Sequence, residues 1–200
     1  MKGLRMHPGL AKMHLLAIGV LSMAGAPPAL AAGAASGPAA PVLQVAHRPG
    51  ARASHAEWRF MRKGAALGQA LIATGKLAQA RGADIATRRF GQALVQESSA
   101  MLRELSLLSL LNQVPLASRP SRAERKELGK LKQLSAATFD RGLGQHAGEL
   151  LQQLIAVLEQ EADKAGADQA LRALARQYLP VLQGRLHEAA ALQADPATLP

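Results

Sequence analysis

His146 and Glu149 come nearest to a metal-binding motif in this sequence. Imidazole and carboxylate groups both ligate transition metals, and residues three apart share one face of a helix. A di-iron carboxylate bundle, however, needs Glu-x-x-His pairs that converge with other Glu residues from facing helices. No Glu-x-x-His occurs in the sequence. We therefore expect His146 and Glu149 to be a weak polar pair at the surface or core boundary, and we expect neither a metal site nor a cofactor.

Nucleophilic catalysis has little support either. The sequence has no Cys, which excludes a thiolate nucleophile. Ser98 and Ser99 have no His nearby in sequence, and neither a Gly-x-Ser-x-Gly elbow nor a Gly-rich phosphate loop is present. We predict that the protein is not an enzyme.

Glu97 and Arg185 are charged residues on otherwise apolar helical stripes. Glu97 lies between Leu94 and Met101 at helical spacing, and Arg185 follows Leu182 on another segment. Because a buried charge is costly unless it is paired, we hypothesise that the two side chains form a buried ion pair. The alternative is that both lie at the stripe edges and extend their charges to water.

Basic residues form a cluster between the second and third long helices. These six are opposed only by Glu124 and Glu127, and they give a candidate patch for anionic lipid or polysaccharide: Arg119, Arg122, Arg125, Lys126, Lys130 and Lys132. A second cluster near residue 60 includes Arg59, Arg62 and Lys63. Because only three Phe, one Trp and one Tyr are available for base stacking, we expect no nucleic-acid partner. A solvated charged face is the alternative interpretation of both clusters.

The N-terminal segment has the layout of a secretory signal peptide. Lys2 and Arg5 precede an apolar run at residues 15–26, and Ala29-Leu30-Ala31 is a small-x-small cleavage site. The sequence predicts a signal peptide over 1–31, cleaved near Ala31, with an uncleaved anchor as the alternative, and a flexible Ala/Gly/Pro-rich tether over 32–53. We expect a periplasmic or secreted mature protein with no transmembrane segment after cleavage.

The residue pattern in the rest of the chain predicts one all-α domain over 54–194, followed by a tail at 195–200. Ala and Leu dominate the composition, and helical periodicity recurs along four long segments and one short one. Capping boxes at Ser54 and Ser121 open two of the helices. Gly82 is expected to end the first helix in a left-handed conformation.

The lengths of the connections predict the topology. Short links join helices one and two and the last two long helices, so each of these pairs is antiparallel. Residues 113–135 between the pairs are enough to cross the bundle lengthwise. We predict a ferritin-like four-helix bundle whose long crossover contains a short extra helix. An up-and-down bundle with a decorated loop is the alternative.

Four short motifs occur in order along the predicted helices. They are Gly75-Lys76-Leu77-Ala78, Glu97 with Glu104-Leu105, Phe139-Asp140-Arg141, and Leu179-Pro180 with Leu182. With these motifs the chain from about Trp58 to Leu192 resembles a secreted bacterial family called domain of unknown function 4142. The resemblance implies a ferritin-like fold.

The resemblance also implies polar core groups that this sequence lacks. Typical members carry an Asp-His pair in each of two helices, a His after the Leu-Pro, and acidic residues before the Gly-Lys-Leu-Ala. The corresponding positions here are Glu97-Ser98, Leu150-Leu151, Arg185, Leu71 and Ala73. If the family's polar groups bind a metal, this chain has lost most of the ligands.

We therefore expect an exported, non-catalytic helical bundle that acts as a structural or binding module of the cell envelope. The first alternative is a degenerate ferritin-like bundle with a metal-binding or oxidative-stress role. The second is a basic module that binds anionic lipid or polysaccharide.

Overall fold

The structure is a computed structural model that describes residues 53–166 and 168–194. Across those residues it contains five helices and no strand, which confirms the all-α prediction: α1 (His55–Arg81), α2 (Ile85–Leu111), α3 (Arg122–Leu131), α4 (Ala136–Ala162) and α5 (Gln169–Ala191). The predicted signal peptide, the tether up to residue 52 and the tail at 195–200 lie outside the described residues.

Side-chain caps begin four of the five helices, two of them at the predicted residues Ser54 and Ser121. At α1 the Ser54 hydroxyl accepts from the Glu57 backbone, and the Glu57 carboxylate accepts from the Ser54 backbone at 2.7 Å, which completes the capping box. At α3 the Ser121 hydroxyl accepts from the Glu124 backbone, but the predicted capping box is incomplete because the Glu124 side chain faces His146 instead of the Ser121 backbone. The carboxylates of Asp84 and Asp168 cap α2 and α5 in the same way.

The prediction for Gly82 is wrong. Gly82 follows α1, but its backbone is at φ −52° and ψ 124°, outside the left-handed region. A Cβ at this position would lie 2.7 Å from the Ala78 carbonyl oxygen and 2.9 Å from Thr87 Cγ2. Gly82 therefore allows the chain to turn tightly into α2, and its lack of a side chain matters more than its conformational freedom.

The four long helices form a closed ring in which α1 contacts α2 and α4, and α5 contacts α2 and α4. Asp140, at the start of α4, accepts hydrogen bonds from the backbone of Ala83 (3.1 Å) and Asp84 (3.0 Å), which follow α1. Helix α4 thus begins where α1 ends, whereas the antiparallel α2 ends beside the start of α1. The segment 112–135 must therefore run the length of the bundle, and it includes α3, as predicted.

The crossover is fixed to the bundle by both apolar and polar contacts. Val114, Leu128 and Leu131 are buried. The guanidinium of Arg81 donates to the carbonyl oxygens of Leu131, Lys132 and Leu134, and it lies 4.8 Å from the centre of the Phe139 ring. These contacts join the end of the crossover to the end of α1.

Apolar stripes, in which residues recur at three- and four-residue steps along the long helices, supply the core. Their buried members include Phe60, Leu67, Leu71 and Ala78 of α1, Phe90, Leu94, Met101 and Leu105 of α2, Phe139, Leu143, Ala147, Leu150, Leu154 and Val157 of α4, and Leu171, Leu174, Tyr178 and Leu182 of α5. With few aromatic side chains available, the helices approach closely. A Cβ on Gly75 would lie 2.6 Å from the Gly91 carbonyl oxygen, and a Cβ on Gly91 would lie 2.6 Å from that of Gly75.

Glu57 links the starts of two helices and makes stability depend on pH. Burial opposes its ionisation, but hydrogen bonds from Ser54 and from the Asp168 backbone lower the pKa of its carboxyl below the usual value. A lowered pKa in the folded state means that the stabilisation is present at neutral pH and is lost as the pH falls through the folded-state pKa. Glu57→Gln should therefore lower the free energy of unfolding by about 1 kcal/mol at pH 7 and by much less at pH ~3.

Urea unfolding of wild type and Glu57→Gln at the two pH values measures this difference. Glu149→Gln, which changes an exposed carboxylate of α4, is the control and should stay within about 0.5 kcal/mol of wild type. A Glu57→Gln difference that is equal at both pH values would contradict the role of the charge.

Candidate functional site

The structure brings Glu97 of α2 and Arg185 of α5 together. Glu97 Oε2 lies 3.0 Å from Arg185 Nε, and about a quarter of each side chain is exposed. Arg185 also pairs with Glu188 one turn along α5. Each side chain is partly exposed, but the two contacting atoms are themselves buried, so the contact lies enclosed between the two helices.

Burial dominates the electrostatics of Glu97. Removal of its carboxylate from water raises its pKa above the usual value, even though the positive charge of Arg185 lowers the pKa. The repulsion from Glu188 adds to the increase. Pairing therefore offsets only part of the cost of burying the charge, so the contact contributes modestly to stability.

A second polar contact lies two turns further along the same interface. The hydroxyl of Tyr178 donates to Glu104 Oε1 at 2.6 Å, and the Gln177 amide donates to the same oxygen at 3.3 Å. Burial and the neighbouring Glu104 carboxylate raise the pKa of Tyr178, which keeps the hydroxyl protonated as a donor. The two contacts are seven residues apart on each helix, so together they fix the antiparallel register of α2 against α5.

A double-mutant cycle on Glu97 and Arg185 measures the strength of their contact. We expect Glu97→Gln, Arg185→Met and the double variant to give a coupling energy of about 1 kcal/mol from their free energies of unfolding. The exposed pair of Glu127 and Lys130, at 2.8 Å, is the control and should give at most about 0.5 kcal/mol. If the coupling energy of Glu97 with Arg185 is no greater than that of the control pair, partial burial does not strengthen this ion pair.

Three of the positions where the resemblance implied polar groups hold buried leucines. Leu71, Leu150 and Leu151 are each at most 1% exposed and belong to the continuous core. Ser98 is also buried, and Ala73 is partly buried. Within the described residues no three His, Asp or Glu side chains are grouped so that they could hold a metal ion.

His146 is directed at the crossover. Its Nε2 lies 3.8 Å from Glu124 Oε2 of α3, and both side chains are largely buried. Glu149 is exposed and accepts a hydrogen bond from Gln145. His146 and Glu149 both line a groove of about 240 Å³ between α3 and α4. The carboxylate that contacts His146, however, belongs to Glu124.

All six basic residues of the predicted patch are exposed, and they lie on the crossover: Arg119, Arg122, Arg125, Lys126, Lys130 and Lys132. Lys130 pairs with Glu127, and Arg125 donates to the Pro120 carbonyl oxygen. The structure therefore presents the patch to solvent along α3 and the turns beside it.

Glu161 is a residue that the sequence analysis missed. It is only 4% exposed, near the end of α4, and its Oε1 has no hydrogen-bond partner within the described residues. Burial raises the pKa of its carboxyl above the usual value. The signal was available, because Glu161 continues the α4 stripe four residues after Val157.

The described residues contain no helix that is both long and apolar enough to cross a membrane. A family model described as "Domain of unknown function (DUF4142)" matches residues 42–192, which is most of the chain. No curated protein and no solved structure matches the chain.

Proposed function

This chain belongs to the DUF4142 family, and from that premise we propose that it is an exported, non-enzymatic helical bundle. Its role would be that of a structural or binding module of the cell envelope. The path of the crossover along the bundle supports a ferritin-like arrangement of the helices.

The packing of the bundle centre is the observation that carries this proposal. Ferritin-like chemistry depends on carboxylates and imidazoles that project inward from facing helices. Leucine occupies the buried positions 71, 150 and 151, and Glu97 with Arg185 forms an ion pair between α2 and α5. A centre of this kind supports the stability of the bundle rather than a reaction.

The alternative is a degenerate metal-binding or oxidative-stress-related bundle. Elemental analysis of the purified chain separates the two functions. The proposal expects less than stoichiometric iron, manganese and zinc, whereas one bound equivalent that survives dialysis would favour the alternative.

Export rests on the basic and apolar segments that precede Ala31. Expression of the whole chain in a Gram-negative bacterium, followed by fractionation and mass measurement, tests it. We expect a periplasmic or secreted protein that lacks residues 1–31. An intact chain found only in the cytoplasm would contradict export.

A second candidate function is the binding of anionic lipid or polysaccharide by the crossover, favoured by the exposure of its six basic residues. Co-sedimentation with phosphatidylglycerol vesicles should decline as salt is raised. It should also decline when Arg122, Arg125 and Lys126 are changed to Gln. Absent binding, or binding that ignores salt, would rule this function out.

A further inference from the structure

A groove between α1 and α4 combines a buried carboxyl with several cations. It has a volume of about 390 Å³, within the usual range for small-ligand sites. Each helix contributes residues at helical spacing, and together they define the α1–α4 groove: Ala56, Arg59, Phe60 and Lys63 from α1, and Val157, Gln160, Glu161 and Lys164 from the end of α4 and the residues after it.

Glu161 gives the groove an unsatisfied hydrogen-bond acceptor. Its side chain lines the groove although the residue is 96% buried, and no described residue donates to Oε1. A buried polar atom without a partner is destabilising, and because Oε1 is itself enclosed, a rotation of the Glu161 carboxyl would bring an oxygen to a donor in the groove. A ligand hydroxyl meets this need, because it can donate to a carboxyl oxygen in either protonation state.

The rim of the groove selects for negative charge. Arg59 and Lys63 are exposed, Lys164 is half-buried, and all three line the same space. Lys164 is close enough to Glu161 to lower its pKa, although burial outweighs this effect and the net shift is upward. The Glu57 and Asp168 carboxylates and the Arg172 guanidinium also act on Glu161 from nearby. Four cations against three carboxyls leave a net positive charge around the groove, so it favours an anion over a metal cation.

The floor adds apolar contact. Phe60 and Val157 line the groove and are each 6% exposed, so they offer a small apolar surface beside the polar groups. A sugar ring can pack its C–H groups against such a surface while its hydroxyls face the polar residues of the groove.

We propose that the α1–α4 groove binds a small polyhydroxylated anion, namely a sugar that carries one carboxylate or phosphate. Glu161 accepts from a ligand hydroxyl. Arg59, Lys63 and Lys164 provide the counter-charge. This site is independent of the export and the envelope role proposed above, since it depends only on the contacts between two helices.

Isothermal titration calorimetry of the purified chain with glucuronate and with glucose 6-phosphate tests the site. We expect at least one of them to bind, and the tighter one identifies the preferred anionic group. Glucose has the hydroxyls without the charge, and inorganic phosphate has the charge without the ring. Each should bind at least about tenfold more weakly.

Variants connect the binding to the groove. Glu161→Leu removes the acceptor and Lys63→Met removes one cation, and each should weaken binding about tenfold. Glu161→Gln keeps an acceptor oxygen and should retain most of the affinity. Lys76→Met, which changes an exposed lysine on the same helix outside the groove, should bind like wild type.

Thermal unfolding of each variant shows whether it is folded. If Glu161→Leu does not fold, the surface variant Lys63→Met still tests the site. Three results would overturn the proposal. They are no binding of either acidic sugar, binding of glucose as tight as that of glucuronate, or unchanged binding in both Glu161→Leu and Lys63→Met.

Discussion

Gly91→Ala should lower the free energy of unfolding by about 2–3 kcal/mol. A Cβ at residue 91 would lie 2.5 Å from Ala78 Cβ and 2.6 Å from the Gly75 carbonyl oxygen. Both neighbours belong to α1, where backbone hydrogen bonds hold them in place, so relief requires α1 and α2 to move apart. That movement would loosen the contact between these helices along much of their length.

Chemical unfolding followed by circular dichroism measures this effect. Gly129→Ala is the matched control, because it lies within helix α3 and a Cβ there would meet nothing within 4 Å. It should raise stability by about 0.5–1 kcal/mol through helix propensity alone. If Gly91→Ala behaves like Gly129→Ala, the close contact between α1 and α2 is not present in solution.

Leu151→Ala should lower the free energy of unfolding by about 3 kcal/mol. Leu151 is 0% exposed within the continuous core, so truncation removes buried apolar atoms and leaves a cavity that helix packing cannot fully close. The effect matters for function, because the family resemblance implied a polar residue at this position. A large loss means that the position now contributes to packing.

The control is Leu110→Ala, which makes the same change at a leucine of α2 that is 80% exposed. Its effect should stay within about 0.5 kcal/mol. A loss at Leu151 of less than about 1 kcal/mol would indicate a loosely packed or hydrated centre and would weaken the argument against chemistry there.

Much of the fold could be predicted because periodicity and capping are local. The stripe that placed Phe139, Leu143 and Leu150 on one face of α4 is buried as a unit. Glu97 and Arg185 could be paired for the same reason, since each was a charge on an apolar stripe. Their degree of burial could not be predicted, because it depends on how far apart α2 and α5 lie.

The remaining features depend on contacts between distant segments. The mutual approach of Gly75 and Gly91 needs the register of α1 against α2, and the Arg81 contacts need the position of the crossover. Gly82 was mispredicted because glycines at helix ends are often left-handed, whereas this glycine is needed because Thr87 leaves no room for a side chain. His146 was grouped with Glu149 on its own helix, whereas Glu124 of a different helix faces it.

We propose that the interior of this bundle is packed for stability and holds no metal site. The most direct test of this proposal is the free energy of unfolding of the chelator-treated chain, measured with and without excess Fe²⁺, Mn²⁺ or Zn²⁺. A native-state site would add about 2.7 kcal/mol at a metal concentration near one hundred times its dissociation constant. We predict a change of less than about 0.5 kcal/mol with each metal, and a stabilisation of 2 kcal/mol or more that is reversed by chelator would contradict the account.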